Sequence, residues 1–416
     1  MGERAIGNHS IYDGLGTNNF NLLDSAQLNF FNPASYSLMS AGNTLFSVGI
    51  YGRASKYTYN ENSEYHFSAM ADHFALGFKM RKRMGMSFGL KPFSNRNYSF
   101  VQKMYTGTDS LKYVYSGQGG IQDLFLGFSY GIIKQNRTKF SLGFNASYLF
   151  GKVTNEKQAI LIDPNTFSGG VGRNSIDVKS FHFEIGTFLR KKLGQSQEVT
   201  LSAVFSPNQT MKGTATHELY AAANINTLST YDTLDFTLVD GKISLGVESK
   251  YGLTYQISLP DWKRKTRAIH PQLTFLASYT SINAPSYDFE NLLQGKYSNY
   301  SKMGLGLQFN PEAKLYENIS TLKFFEKITY RIGAYSSLLP YTTISGSQYN
   351  EQALTVGFGI PIIAQQGLSS LNFSVCLGKR GVNETVYTSE EFLSFNFGLI
   401  ISPSSFDRWF RKRKLD

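Results

Sequence analysis

The sequence predicts an all-β protein that crosses a membrane as a closed antiparallel barrel of about fourteen strands. Long segments alternate between apolar and small or polar residues with a period of two, as successive strand side chains do. No stretch approaches the roughly 18 continuous apolar residues of a transmembrane helix. Phe, Tyr and Gly are abundant, at 33, 26 and 38 residues, which favours pleated strands and turns. Because an open sheet edge cannot be satisfied in hydrocarbon, the strands must close on themselves.

The first 43 residues lack this alternation and are rich in Asn, Ser and Gly. We interpret residues 1–43 as a folded but irregular segment that precedes the barrel. No secretory signal peptide is visible at this end, because no apolar core follows the opening residues. We therefore expect the numbering to start at a mature or trimmed terminus.

Residues 44–401 form the predicted barrel, and residues 402–416 form a basic tail. The clearest strand covers residues 138–151, with Phe144 and its even-numbered neighbours on one face and Ser141, Asn145 and Ser147 on the other. Apolar outside with a small or polar inside is typical of a membrane barrel. The predicted strands are 44–57, 66–80, 83–95, 120–134, 138–151, 178–191, 196–207, 242–258, 268–281, 300–312, 322–337, 350–362, 368–380 and 388–401. In the eighth strand, the predicted lipid-facing residues are Ile243, Leu245, Val247, Tyr251, Leu253 and Tyr255.

The connections between these strands alternate between short and long. Longer polar loops are predicted at residues 96–119, 152–178, 208–241 and 283–299, with a medium turn at 311–321. Bacterial outer-membrane barrels have short periplasmic turns and longer external loops. The prediction is therefore a bacterial outer-membrane location with both termini on the periplasmic side.

Basic residues concentrate at the predicted short-turn end. The chain has 41 Lys and Arg against 30 Asp and Glu, a formal net charge of +11. A basic surface can indicate nucleic acid, but here it lies where outer-membrane lipid phosphates would be. We expect a lipid or protein partner and no nucleic acid. The candidate residues of this basic edge are Arg81, Lys82, Arg83, Lys263, Arg264, Lys265, Arg411, Lys412 and Arg413.

The charged residues predicted to face the lumen are His182, Glu184, Glu248, Lys250 and Arg331. Charged pairs that brace the barrel or hold an internal segment explain them better than a reactive site does. Residues 127–131 match the G-x-S-x-G pattern, but that chemistry needs a sharp strand-to-helix turn and this match lies in mid-strand. The histidines lack metal-ligand spacing, and no phosphate-binding or dinucleotide fingerprint appears. We predict no enzyme activity and no cofactor.

Two short motifs carry a resemblance to a known family. The run Asn32-Pro33-Ala34-Ser35-Tyr36 resembles the hatch motif of the FadL-like family of long-chain fatty-acid transporters. Residues 407–414, DRWFRKRK, are similar to the ending of a FadL-like branch found in bacteria with type IX secretion. The resemblance implies that residues 1–43 form a plug or hatch inside the barrel, with Asn32, Pro33 and Ala34 as its motif.

The resemblance leaves two functions open. The preferred prediction is a plug or accessory subunit of a type IX protein-secretion translocon, whose partner would be a larger outer-membrane protein. The alternative is a passive transporter of long-chain fatty acids or other hydrophobic compounds, with a hydrophobic small-molecule ligand. A transporter predicts a continuous apolar pocket in the lumen, whereas a partner barrel predicts a lumen filled by the N-terminal segment. Small polar inner faces, such as Asn372, Ser374 and Cys376, favour the filled lumen.

Overall fold

A computed structural model gives the structure of the chain. It describes residues 3–4, 9–40, 44–59, 62–106, 109–162, 169–222, 231–263, 268–289, 297–313, 322–364, 367–382 and 387–402. Arg264, Lys265, Arg411, Lys412 and Arg413 of the predicted basic edge lie outside the described residues, as do residues 407–414 of the tail motif.

Fourteen antiparallel strands close a barrel, because the first strand pairs with both the second and the last. Every other strand pairs with its two neighbours in barrel order. The strands are β1 Thr44–Tyr59, β2 Asn62–Arg81, β3 Met84–Asn95, β4 Asp109–Lys134, β5 Thr138–Ile162, β6 Gly169–Lys192, β7 Gln197–Ser206, β8 Glu248–Ser258, β9 Gln272–Ile282, β10 Tyr300–Asn310, β11 Thr329–Thr342, β12 Gln348–Ala364, β13 Gly367–Gly381 and β14 Ser389–Ile401. The predicted fold class and strand number are confirmed.

The alternation along each strand separates an outer from an inner face. In β5, Phe144 is 48% exposed on the outer face, whereas Asn145 is 0% exposed on the inner face. The same separation holds in β14, where Leu393 and Phe397 are exposed and Ser394 and Asn396 are buried. An apolar outer face suits lipid, and the polar inner face requires hydrogen-bonding partners inside the barrel.

Residues 9–40 pack inside the barrel and supply those partners. This luminal segment contains a short helix, α1 (Ser10–Asp13), and a 3-10 helix at Pro33–Leu38. Ile11, Tyr12, Leu15, Phe20, Phe30 and Tyr36 of the segment are buried in a hydrophobic cluster that also includes barrel residues such as Phe125 and Leu276. The barrel therefore encloses a second core, built from the segment that precedes it.

The predicted long loops are largely paired strands that continue beyond the short barrel strands. β4, β5 and β6 run for 26, 25 and 24 residues. Further strands, Tyr98–Thr106, Thr210–Ala222, Tyr231–Ser244 and Ser286–Asp288, pair along them or with one another. The loop prediction for 96–119, 152–178 and 208–241 was wrong, because polar residues and tyrosines on both faces mask the alternation where no lipid is present.

Two predicted strands begin in the wrong place. β8 starts at Glu248 and not at residue 242, because the chain leaves the strand at residues 245–247. Ile243 and Leu245 consequently pack in an internal cluster with Phe289, and are not on the lipid face with Tyr251. β11 starts at Thr329, after a short helix, α2 (Phe324–Lys327).

The barrel has a short-turn end, where residues 82–83 and 135–137 connect strands, and an opposite loop end. β14 finishes at the short-turn end, where Ile401 pairs with Phe46 near the start of β1. Glu3 and Arg4 instead pair with Asn95 and Ser94, at the loop end of β3. The prediction that both termini share one side fails for residues 3–4, since the chain runs through the lumen before β1 begins. Which end faces the periplasm stays a prediction.

None of the helices in the described part of the chain is long and apolar enough to span a membrane.

Candidate functional site in the barrel lumen

Asn32 is fully buried at the start of the 3-10 helix and joins three parts of the structure. Its Oδ1 accepts a hydrogen bond from the Ala34 backbone N–H at 3.1 Å, which caps the helix. Its Nδ2 donates to the Phe20 carbonyl at 3.1 Å within the luminal segment and to the Thr187 carbonyl of β6 at 3.4 Å. The predicted hatch residue thus connects the segment to the barrel wall.

The 3-10 helix makes close contacts with the inner face of β5. Tyr36 donates from its hydroxyl to Asn145 Oδ1 at 2.9 Å, and Asn145 Nδ2 donates to the Phe30 carbonyl at 3.2 Å. The hydroxyls of Ser37 and Ser141 are 2.7 Å apart. Two of the three inner-face residues singled out in the sequence, Ser141 and Asn145, therefore hold the segment, while Ser147 is buried without a hydrogen-bond partner in the described structure.

Glycine on the barrel wall makes room for the backbone at Pro33. A Cβ added at Gly143 of β5 would be 2.5 Å from the Pro33 carbonyl carbon, and one at Gly186 of β6 would be 2.7 Å from Pro33 Cδ. Both distances are shorter than any ordinary contact between carbon atoms. Pro33 can therefore pack this closely against the wall because both wall positions are glycine.

A second contact holds the beginning of the luminal segment against β1 and β2. A bulge in β2 directs both Asp72 and His73 inward. The His73 ring is 2.7 Å from Asp72 Oδ2 and 2.7 Å from Ser47 Oγ, and it stacks on the His9 ring at 4.5 Å. This arrangement resembles a charge-relay triad, but His9 and Phe30 cover it and Ser47 is only 1% exposed. It acts here as a buried attachment for the segment.

Four of the five predicted luminal residues come together in one charged cluster. Lys250 Nζ is 2.8 Å from Glu248 Oε1 and 3.7 Å from Glu184 Oε1. His182, from the same inner face of β6, contacts the Ser206 hydroxyl at 3.0 Å. The N-terminal residue Arg4 completes the cluster with a 2.6 Å ion pair to Glu248.

Arg331 lies apart from this cluster. Its guanidinium donates to Gln308 Oε1 and Asn372 Oδ1, both at 3.0 Å, and so joins β11 to β10 and β13. It therefore braces a different sector of the wall.

A second charged network, which was not predicted from the sequence, lies on the opposite sector of the wall. Arg53 of β1 pairs with Glu390 of β14 at 2.8 Å, and Arg380 of β13 pairs with Glu351 of β12 at 2.5 Å. Glu3 pairs with Arg380 at 2.5 Å, while its neighbour Arg4 reaches Glu248. The dipeptide at residues 3–4 thus crosses the lumen and joins the two networks. The sequence does carry a signal for this network, namely charged residues at inward positions of β1, β12, β13 and β14.

Above the luminal segment, toward the loop end, lies a cavity of about 270 Å³. Its walls carry both members of the ion pairs between Arg53 and Glu390 and between Arg380 and Glu351. Asp13, Lys302 and Asn396 also line it. Because these charged groups share the walls with apolar and tyrosine side chains, the cavity differs from the continuous apolar pocket that a transporter of hydrophobic compounds predicts.

The predicted basic edge is partly described. Arg81, Lys82 and Arg83 are exposed at the turn between β2 and β3. Lys263 lies in a two-residue strand, Trp262–Lys263, within the connection from β8 to β9. Further exposed basic residues at neighbouring turns are Lys134, Arg137, Lys191 and Lys192.

The described ranges contain no group of three or more His, Cys, Asp or Glu side chains placed to hold a metal ion. Ser129 of the G-x-S-x-G match lies within β4, so the strand-to-helix turn of a nucleophile elbow is not formed there.

Fold and lumen together define a class: a fourteen-stranded antiparallel β-barrel with an apolar outer face and a polar interior that holds the preceding segment. The chain itself belongs to the BamG family, whose model matches residues 14–416. A search of curated proteins found no match.

Several solved structures share this fold over nearly their whole length. A FadL homologue of Pseudomonas aeruginosa aligns with a TM-score of 0.56 at 11% identity, over 97% of this chain and 100% of the other. The CymD monoaromatic hydrocarbon channel gives 0.54 at 11% identity, over 97% and 99%. The toluene transporter TodX of P. putida gives 0.53 at 13% identity, over 96% and 99%.

These identities establish a shared fold and leave the activity of this chain open. The predicted FadL-like resemblance is confirmed. None of these three names points to type IX secretion.

Proposed function

We propose that this chain is a closed, non-enzymatic outer-membrane barrel that acts as a subunit of an outer-membrane protein complex. The observation that carries the proposal is the luminal segment, residues 9–40, which is hydrogen-bonded to the inner wall through Asn32, Tyr36 and Ser37. With the segment held in this way, a solute could pass through the lumen only if the segment moved.

Displacing the segment would be costly. Burying one large apolar side chain contributes about 1.5–3 kcal/mol. Tyr12, Leu15, Phe20 and Phe30 are among the segment residues that are at most 1% exposed. Removing even these four from the interior would cost on the order of 10 kcal/mol, which argues against spontaneous opening.

The polar lumen supports the same proposal. A lipid-like ligand gains affinity by burying apolar surface, with few polar groups to orient it. Here the space above the segment is walled by Arg53, Arg380, Glu351 and Glu390. Such a surface would leave charged groups desolvated against a hydrocarbon, which is unfavourable.

The short-turn end offers a surface for the partner. Three successive turns, from β2 to β7, present exposed basic residues: Arg81, Lys82, Arg83, Lys134, Arg137, Lys191 and Lys192. On another side of the same rim, α2 and its cap mix Lys323 and Lys327 with Glu326. The several exposed basic residues of this arc suit a discrete acidic protein surface, which would contact them together.

The type IX translocon is one such complex, but its assignment rests on residues 407–414, outside the described residues. The comparisons add nothing to it. We therefore propose a closed subunit with an acidic protein partner, in a complex of unspecified kind.

A second candidate function is passive transport of hydrophobic compounds. It is favoured by the shared fold and by the functions of two structural neighbours, a monoaromatic hydrocarbon channel and a toluene transporter. It requires the luminal segment to move, and the charged cavity to open, during passage.

The two candidates are separated by extraction from membranes in mild detergent followed by native mass spectrometry. The arc variant, Lys82→Glu with Arg137→Glu and Lys191→Glu, is compared with a control that carries Lys103→Glu, Lys212→Glu and Lys242→Glu. The control residues are equally exposed but lie outside the basic arc.

The partner proposal expects a complex with another outer-membrane protein for the parent and the control, and its loss for the arc variant. A lone barrel that carries a hydrophobic compound in its lumen, in the parent as in both variants, would support transport and overturn the proposal.

A further inference from the structure

The floor of the luminal cavity presents two ionisable groups that take no part in the ion pairs of the wall. Asp13, at the end of α1, is 4% exposed, and its Oδ2 accepts from Asn396 Nδ2 at 2.5 Å. Its other oxygen, Oδ1, has no hydrogen-bond partner in the described structure, and neither has Asn396 Oδ1. Both residues line the cavity.

Lys302 of β10 is the positive counterpart on the same cavity. Its ammonium lies over the Tyr335 ring, 4.1 Å from the centroid. No carboxylate among the described residues is within 4.0 Å of it, although Asp13 lines the same space. An ammonium with only an aromatic face keeps donors available for an anion.

The other charges on the wall are satisfied by one another. Arg53 and Glu390, at 2.8 Å, and Arg380 and Glu351, at 2.5 Å, form close ion pairs. Ser55 and Tyr335 add hydrogen bonds to Glu390 and Glu351, at 2.6 and 2.8 Å. An incoming ligand would have to break these contacts to use them, whereas Lys302 has no described carboxylate within 4.0 Å to release and Asp13 Oδ1, although itself buried, accepts no hydrogen bond in the described structure.

We propose that this cavity binds a small zwitterionic molecule, with its ammonium held by Asp13 and Asn396 and its anionic group held by Lys302. A buried carboxylate oxygen without a donor is costly, and a ligand ammonium relieves that cost. A carboxylate on the ligand does the same for Lys302 through a charge-assisted hydrogen bond. A ligand with both charges leaves the electrical balance of the cavity unchanged.

The size of the cavity limits the ligand. With a volume of about 270 Å³, the cavity has room for a small amino acid or a compound of similar size. The site is independent of whether the barrel transports solutes or binds a partner.

The test is isothermal titration calorimetry on the full chain in detergent. The probes are γ-aminobutyrate and 6-aminohexanoate, which carry both charges at two spacings, and butyrate and butylamine, which carry one each. Asp13→Asn and Lys302→Gln keep size and polarity but remove one charge. Asp235→Asn and Lys103→Gln, at exposed positions outside the cavity, are the controls.

We expect saturable binding of at least one zwitterion by the parent and both controls, and at least tenfold weaker binding of each single-charge probe. Asp13→Asn and Lys302→Gln should each weaken zwitterion binding at least tenfold. If a variant fails to fold, the affinities of the zwitterionic and single-charge probes for the parent protein test the proposal. Absence of zwitterion binding, equal binding of butyrate or butylamine, or unchanged affinity in both folded cavity variants would overturn the proposal.

Discussion

Asn32 illustrates how single polar side chains inside the barrel determine where the luminal segment lies. One amide caps the 3-10 helix, bonds to the segment itself and bonds to β6. Burying a side-chain amide this completely is unfavourable unless its polar atoms find partners, because each unsatisfied group costs free energy. In this barrel the polar inner face and the polar segment satisfy each other.

Asn32→Ala should destabilise the protein by about 2–4 kcal/mol, since a cap and further buried hydrogen bonds are lost. Urea unfolding of the detergent-solubilised protein measures the change. The control is Asn136→Ala, at an exposed turn position, which should leave stability unchanged. Equal stability of the two variants would show that Asn32 does not anchor the segment.

Arg53 shows that a buried charge inside the barrel likewise needs a partner. Arg53→Met leaves Glu390 buried without its closest cation, at a cost of about 3–5 kcal/mol. The double variant Arg53→Met with Glu390→Gln should recover much of that loss, because the buried charge is gone. Thermal unfolding measures both variants, with Lys379→Met at an exposed ion pair as the unaffected control. A double variant no more stable than the single one would contradict this explanation.

Which inner residues could be predicted depends on how clearly each strand alternates. His182 and Glu184 were found because β6 sets them against Phe181 and Phe183, which are exposed on the outer face. Arg53 was missed because β1 is aromatic inside, at Tyr51 and Tyr57, and small outside, at Gly52 and Ala54. Hydrophobicity alone then assigns the faces wrongly.

At the scale of elements, β5 and the 3-10 helix form a close contact between wall and segment. Gly143→Ala places a methyl group 2.5 Å from the Pro33 carbonyl carbon, so the helix has to shift. We expect a loss of about 1–3 kcal/mol from this overpacking. Limited proteolysis should also cleave within residues 9–40 faster than in the parent.

Gly131→Ala in β4 is the matched control, because its added Cβ would be no closer than 3.7 Å to any atom. It faces the same segment near Ser37 and should behave as the parent does. Equal proteolysis of the two alanine variants would mean that the segment is not held by close packing at β5.

The extended strands beyond the barrel show the limit of periodicity as a signal. The strand Tyr98–Thr106 pairs with β4 through residues such as Phe100 and Tyr115, whose rings stack at 5.1 Å. Both faces are partly exposed there, so neither water nor lipid enforces an apolar and a polar side. The bulge at Asp72 and His73 escaped prediction for a related reason, since two consecutive inward residues break the period of two.

For the whole molecule, strand count and barrel closure were predictable, whereas the path of the first 40 residues was not. Lipid imposes alternation on every strand, and that signal survives in the sequence. Glu3 reaches Arg380 and Arg4 reaches Glu248 across the lumen, contacts more than 240 residues apart in the chain. No local pattern encodes them.

The central claim is that the barrel functions with its luminal segment in place, and a reversible crosslink tests it most directly. The hydroxyls of Ser37 and Ser141 are 2.7 Å apart, so Ser37→Cys with Ser141→Cys should form a disulfide. The buried Cys376 is the one native cysteine and is replaced by Ser in the variant and in its control.

Complementation of a strain that lacks the protein is then measured for the crosslinked variant and for the Cys376→Ser control, with and without reductant. We predict that the oxidised variant complements as well as the control, because nothing in the lumen has to move. Loss of complementation in the oxidised variant, restored by reductant, would contradict the closed barrel and establish movement of the segment as part of its function.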